Sequence, residues 1–519
     1  MQFRWRDLFT SKVDTEVRWD RWDFIALGVA VFTVIGVFAL KLRTFYDLGY
    51  TSDLFVSVQL ARSWLDGRGL LQDNCFGNQL AIHTYLLLPV LGVVAKPFGA
   101  PGLLFVLAAS VGAAYFWAVR VLRLLNVAGL AAIIAAGVML ASPFSVGFYQ
   151  DQLFGFHVEV LTPAFCLMLF YFLLRRWVVE SVVTALVAIS VKEDAPIAAA
   201  LVAIIAGLET WFSSADKPPR TRLNSPALIV LLLSVCAMPV LMAISWTQPP
   251  TVSWAVYPPM IYAMHSVDRL WIAQPGTLRT PGALFLFIGN NLANWLGNAV
   301  VCKWLWIMLV GSFGMIALRP YYLICGVLTT LVAWLMKRDD LLWAPRFYPT
   351  EVLVWCVTLV GFASIARTVT LYRRWAQTVA IATAFAVAAM SASSQLALVP
   401  EVRSAYLLRS RSPYSPLERQ QADELFAGYR RISRPDEPVV ASPMLFRYAH
   451  DRNLFWLNRL PGRPLPIWIL SDGTSNYGYD DLHVKDDALV DGRGRVMLRP
   501  EDYAVVDRRG RFVLLKRKD

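Results

Sequence analysis

The sequence predicts an α-helical polytopic membrane protein of about eleven spans, with juxtamembrane helices on the outer face and a small soluble α/β domain at the C-terminal end. Two observations carry this reading. The 519 residues are 57% hydrophobic and only 17% charged, with a mean hydropathy of +0.49, which is too apolar for a water-soluble chain of this length. The charge is also uneven: about a third of residues 400–519 are charged against about an eighth of the rest, so a polar unit follows an apolar one. The expected division is a cytoplasmic N-terminus (1–22), a transmembrane domain (23–399) and an extracytoplasmic α/β domain (400–519).

Taken in order, Arg4, Arg6, Lys12, Arg18 and Arg21 precede the first apolar stretch and put the N-terminus in the cytoplasm. That stretch, 23–42, has no small-residue cleavage site and reads as a retained signal anchor. Further spans are expected at 101–121, 128–146, 160–176, 178–191, 195–212, 225–245, 303–318, 321–336, 350–366 and 375–396. Two other apolar stretches are interrupted, 83–98 by Pro89, Lys96 and Pro97, and 283–301 by Asn290, Asn291, Asn294 and Asn298. Placing both along the outer interface puts Arg120, Arg123, Arg175, Arg176, Lys217, Arg220, Arg222, Arg373 and Arg374 inside, as the positive-inside bias requires. The C-terminal domain then lies outside. Lys41, Arg43, Lys337, Arg338 and Arg346 fall outside against the bias, which marks them for function rather than topology. Segment 178–191 would be about 21 Å long against a hydrocarbon core of ~30 Å, so Lys192-Glu193-Asp194 at its end should be sunk within protein or a wet cavity. In the tail, Pro438–Ser442 reads as a strand leading to a helix near 443–450, Leu454–Leu457 as a second strand, and Tyr503–Val506 with Phe512–Leu515 as a hairpin.

The net charge of +12 does not point to nucleic acid, because Lys and Arg alternate with acids and cluster at the ends of apolar stretches, where topogenic and headgroup roles explain them. Five of the six cysteines lie in or beside apolar stretches and only Cys75 in a polar loop, so no disulfide framework is expected. No metal is expected and no cofactor is indicated. His157 and Glu159, two residues apart, do not converge on a helix, and no other close pair of ligands stands out.

The first outer loop is the most informative segment. Leu54, Val58, Ala61 and Leu65 share one helical face, so 54–65 reads as an amphipathic helix lying on the membrane. Asp53 at its start has two readings: a helix N-cap, or a carboxylate fixed at the membrane surface. Lys192 likewise is either a phosphate ligand or half of a structural ion pair with Glu193 or Asp194. Asp151, His157 and Glu159 form a polar group in an apolar stretch and suit a site lining. His83 and His265 are single imidazoles. Trp254, Tyr257, Tyr262 and Tyr348 suit interfacial anchoring, with stacking on sugar rings as the alternative.

An acid soon after span 1, an amphipathic helix and the Gly67-Arg68-Gly69 turn, followed by Gly77-Asn78-Gln79-Leu80-Ala81-Ile82-His83 with Pro89, Phe154-Gly155-Phe156-His157-Val158-Glu159 with Pro163, and Lys192-Glu193-Asp194, resembles the GT-C superfamily of membrane glycosyltransferases. Within it, the motif series is similar to that of a branch of bacterial polytopic membrane proteins of formerly unknown function. The resemblance covers most of residues 45–210 and, weakly, Arg346-Phe347-Tyr348 and the tail. It implies a GT-C-like fold in the bacterial inner membrane, with the active site and C-terminal domain on the extracytoplasmic side. It also implies inverting hexosyl or pentosyl transfer from a polyprenyl-phosphate sugar donor to a lipid, glycan or protein acceptor. Asp53 is the implied catalytic carboxylate, with Asp47 as runner-up. The implied substrate-binding set is Lys192, Glu193, Asp151, His157, Glu159, His83, Arg346, Tyr348 and Arg269, with Lys192, Arg346 and Arg269 as the cations for the leaving phosphate. Two other classes compete: a lipid or glycan transporter or flippase, disfavoured because polar residues gather at the outer ends of spans and no repeat is visible, and a catalytically silent relative that binds glycan or partner proteins through the tail.

Overall fold

The computed structural model describes residues 18–50, 52–74, 77–150, 155–213, 223–248, 348–370, 412–454, 465–473 and 500–518, with Val13 and short pieces within 309–329 and 483–498. The spans expected at 303–318, 321–336 and 375–396, and the stretch 283–301, fall wholly or mostly outside these residues.

Helix α1 (Arg21–Tyr46) starts on a capping box: the Asp20 carboxylate accepts from Trp22 N, and the Asp23 carboxylate accepts from Asp20 N. α2 (Ser52–Arg62) follows in the first loop. A two-stranded ribbon, β1 (Gln72–Asp73) with β2 (Gly77–Asn78), leads to an irregular segment and then to α3 (Gly92–Leu124), which bends at Gly99, where φ is +58°. Residues 83–98 are thus a bend and the first turns of α3, and make no crossing of their own. α3 runs back along α1: buried Arg120 near its end meets buried Asp23 at 2.7 Å and donates to Tyr171 Oη at 2.7 Å. The loop between α1 and α3 therefore lies at the end of the bundle opposite the N-terminus.

α4 (Gly129–Ala141) and α5 (Pro143–Gln150) continue the chain. A 3₁₀ turn, Val158–Leu161, then enters α6 (Thr162–Arg175), followed by α7 (Val178–Ile189), α8 (Ala195–Ser213), α9 (Ser225–Trp246) and α10 (Tyr348–Thr370). Among the described residues, five helices are long and apolar enough to cross a membrane: Arg21–Tyr46, Gly92–Leu124, Val158–Arg175, Ala195–Ser213 and Pro349–Arg367. α4, α7 and the stretch Ser225–Leu241 of α9 are shorter apolar helices. The chain is a multi-pass membrane protein. Its membrane core is one continuous cluster of buried apolar residues drawn from α1, α3, α4, α6, α8 and α10.

The tail is a small α/β unit. Helix α11 (Pro416–Ile432) begins on a Ser415/Glu418 capping box and covers a five-stranded sheet. The strands are β3 (Pro438–Ala441), β4 (Asn453–Leu454), β5 (Trp468–Ser471), β9 (Tyr503–Arg509) and β10 (Phe512–Arg517), ordered β4-β3-β5-β10-β9. β3 is parallel to both neighbours, and β10 is antiparallel to β5 and β9. The expected hairpin is β9–β10. The expected helix near 443–450 is a 3₁₀ turn, Pro443–Tyr448. A separate three-stranded sheet joins β6 (His483–Lys485), β7 (Ala488–Val490) and β8 (Val496–Leu498).

One expectation is overturned. α2 does not lie amphipathically on a membrane, since Leu54, Phe55, Val56, Ser57, Val58, Gln59, Leu60 and Ala61 are all buried. One side presses so closely on the start of α3 that a Cβ at Gly92 would come within 2.2 Å of Ala61 O. The tail covers another side: Phe55 packs on Phe446 and His450, with ring centroids at 6.1 and 5.4 Å, and Gln59 Nε2 donates to Leu454 O at 3.1 Å. Around this contact Asn74 Nδ2 donates to Asn453 Oδ1 (2.9 Å), Arg447 donates to Tyr46 O (2.7 Å), and Arg419 pairs with Asp47 (3.2 Å). The tail and the first loop therefore share one side of the membrane.

Candidate active site

The site is built where four connections meet at the end of the bundle away from the N-terminus. Asp53, in the first turn of α2, is placed by the burial of the residues that follow it, and its carboxylate remains 26% exposed. Its Oδ2 lies 3.3 Å from Nε2 of His157, the residue before the 3₁₀ turn into α6. Two residues on, Glu159 points the other way, into the protein. Its Oε1 meets Lys192 Nζ at 2.8 Å and accepts from Tyr85 Oη at 3.1 Å. Asp194 lies on the other flank of Lys192, at 3.8 Å.

Lys192, Glu193 and Asp194 are all buried. α7 explains why. Its 12 residues span about 18 Å at 1.5 Å per residue, well short of a ~30 Å core, so the turn after it ends within protein. Such charges persist only when paired. Of the two chain neighbours expected to pair with Lys192, Asp194 does so at 3.8 Å, but the closer partner is Glu159 of another loop, while Glu193 turns away to His83. Glu193 Oε1 lies 2.7 Å from His83 Nδ1, and its Oε2 accepts from Thr84 N at 3.1 Å. The His83 ring packs on Tyr85 with centroids 5.0 Å apart, which closes the group into one network.

Burial opposes ionisation of Glu193, but the adjacent His83, its hydrogen bond and nearby Lys192 outweigh it, and the carboxyl is held below its ordinary value of 4.5. A carboxyl depressed in the folded state contributes stability that is complete above the ordinary value and is lost as pH falls beneath it. The thermal midpoint should therefore drop on acidification below about pH 4.5, and Glu193→Gln should make the drop shallower. Identical slopes in the two proteins, followed by calorimetry, would remove this pair from the acid response.

The other sequence-derived candidates are placed as follows. Asp47 follows α1, its N–H bonded to Arg43 O at 2.8 Å, and its carboxylate faces Arg419 of the tail and Arg43. Asp151, Arg269 and Arg346 lie outside the described residues, as do His265, Trp254, Tyr257 and Tyr262. Tyr348 is the first residue of α10, and its side chain is outside the described set. Tyr85, Tyr50 and Lys41 were not among the candidate site residues. For Lys41 a signal existed, since the topology expected from the sequence puts it at the outer end of span 1 against the charge bias. Among the described residues no group of three His, Cys, Asp or Glu side chains is placed to hold a metal ion.

The arrangement can do two things: present an oriented, water-accessible carboxylate, and hold beneath it a buried layer in which one lysine and one histidine face three carboxylates.

No family model matches the chain, and no curated protein matches it. Among the solved structures that resemble it are two of one protein. ArnT from Cupriavidus metallidurans bound to undecaprenyl phosphate aligns at 14% identity with a TM-score of 0.43, covering 94% of this chain and 98% of that one. The apo state of ArnT from the same organism aligns at 15% identity with a TM-score of 0.42 over the same shares.

Proposed function

We propose that this protein is a GT-C-type glycosyltransferase of the bacterial inner membrane that moves a hexosyl or pentosyl group from a polyprenyl-phosphate donor to an extracytoplasmic lipid, glycan or protein acceptor. The observation that carries the reading is the Asp53–His157 contact at 3.3 Å, on the side of the bundle where the tail docks, above a buried ionic layer. With its proton on Nε2, His157 donates to Asp53 Oδ2 and orients the carboxylate. Asp53 then takes the proton of an acceptor hydroxyl as that oxygen attacks the anomeric carbon. The bond from that carbon to the phosphate oxygen breaks, polyprenyl phosphate leaves with the electron pair, and the anomeric configuration inverts.

The departing phosphate needs cations. Lys192 is already engaged by Glu159 and Asp194, so in this reading it holds the buried layer together, and Arg346 and Arg269 are the side chains proposed for the phosphate. Glu193 and His83 brace the same layer, and Asp151 and Tyr348 are proposed for the sugar.

The test supplies purified protein in nanodiscs with radiolabelled polyprenyl-phosphate sugars, and membranes of a deletion strain as the acceptor source. Label moving to an acceptor with release of polyprenyl phosphate is the expected outcome. Labelled donor that crosses a sealed vesicle unchanged would replace the reading with a flippase, and neither event with any hexosyl or pentosyl donor would leave a binding protein.

A further inference from the structure

Three contacts fasten the end of α1 and the loop after it to the segment that carries His157. Lys41 is fully buried, and its Nζ donates to Gly155 O at 3.3 Å. The same ammonium lies 5.6 Å from the centroid of the Tyr50 ring. Tyr50 in turn packs on Gly155, where an added Cβ would come within 2.8 Å of the ring. Gly155 also has φ +78°, so both the backbone conformation and the close approach require glycine. Two residues further on, His157 meets Asp53, and Asp53 stands three residues after Tyr50. The segment 41–53 thus holds 155–157 at a carbonyl, an α-carbon and an imidazole.

Lys41 is an unexpected residue for packing alone. A methionine would fill the same volume without taking an ammonium out of water, and the outer end of a first span is where the charge bias disfavours lysine. Among its contacts the ammonium fixes the Gly155 carbonyl, two residues before His157, and the Tyr50 ring that packs on Gly155.

We infer that Lys41 is a positioning residue for the Asp53–His157 pair, setting the imidazole against the carboxylate through Gly155 and Tyr50. The inference deepens the glycosyltransferase reading, yet its central measurement needs no substrate.

The 519-residue chain contains five histidines, few enough for ¹³C,¹⁵N-histidine labelling in nanodiscs, with the His157 signal assigned by its loss in His157→Gln. An adjacent carboxylate favours the imidazolium, so Asp53→Asn should lower the His157 titration midpoint. Lys41→Met separates two cases by sign. Simple removal of a nearby cation raises the midpoint, whereas loss of positioning lowers it by most of the amount that Asp53→Asn does. The lowering is expected, with little further change when Asp53→Asn is added. Gly155→Ala keeps every charge but pushes Tyr50 aside, and should lower the midpoint too; it decides the matter if Lys41→Met does not fold. A raised midpoint in Lys41→Met, or a full Asp53→Asn effect in either background, overturns the inference. In the transfer assay kcat should fall in Lys41→Met with the donor KM unchanged. Should the wild-type protein transfer no sugar, the glycosyltransferase reading fails while the titration still decides the role of Lys41.

Discussion

Asp53→Asn should reduce sugar transfer by roughly 10²–10⁴-fold, the usual contribution of a positioned general base, while the protein remains folded. Asparagine keeps the shape of the side chain, and its Oδ1 can still accept from His157 Nε2, so the contact and the start of α2 survive while the proton acceptor is lost. Asp47→Asn makes the comparison sharp. It weakens a part-exposed pair with Arg419, worth well under ~1 kcal/mol, and should slow transfer far less. Rates measured on both variants with one donor preparation check this. Wild-type turnover in Asp53→Asn would return Asp53 to a helix-start role and remove it from the chemistry.

Lys192→Met should destabilise the fold by about 3–5 kcal/mol, because Glu159 and Asp194 would be left buried without their cation. Methionine preserves most of the apolar stem, so the loss reports charge rather than packing. The affinity of the surviving folded protein for polyprenyl phosphate, the leaving group of the proposed reaction, should stay close to wild type. Adding Glu159→Gln should recover part of the stability, since it removes the uncompensated carboxylate. Thermal unfolding and binding measured on the same preparation separate the two roles. An affinity loss of a decade or two, about 1.5–3 kcal/mol, with an unchanged midpoint would make Lys192 the phosphate ligand instead.

The residues proposed for the chemistry stand out in the sequence by position: Asp53 as an acid soon after the first span, Lys192-Glu193-Asp194 at the end of a short apolar stretch, and His157 and Glu159 as polar side chains within an apolar one. Their pairing was not legible. His157 reaches Asp53 across 104 positions, and consecutive residues in a turn point in different directions, which is why Lys192 meets Glu159 rather than Glu193. The burial of α2 was missed for a related reason: the 3.6-residue stripe reports one face, and Phe55 and Gln59, off that stripe, meet a surface supplied by the tail. α11 could have been found from the Ser415/Glu418 box and the apolar spacing of Ala422, Leu425, Phe426 and Tyr429. Strand β5, four residues long, is too short for its alternation to be read from the sequence. The 3₁₀ turn at Pro443–Tyr448 carries the same short signal as a helix.

The clamp of the tail on α2 also sets an order in time. Gln59 waits for Leu454, 395 residues later in the chain, and at ribosomal rates that interval lasts on the order of tens of seconds. Throughout it, Phe55 lacks its cover and the helix carrying Asp53 lacks one wall. A nascent chain would thus hold an unfinished site while its remaining spans are threaded. The carboxylate would reach its final setting only after the C-terminal domain has folded against α2, so that a half-inserted chain has no assembled site with which to meet the proposed donor.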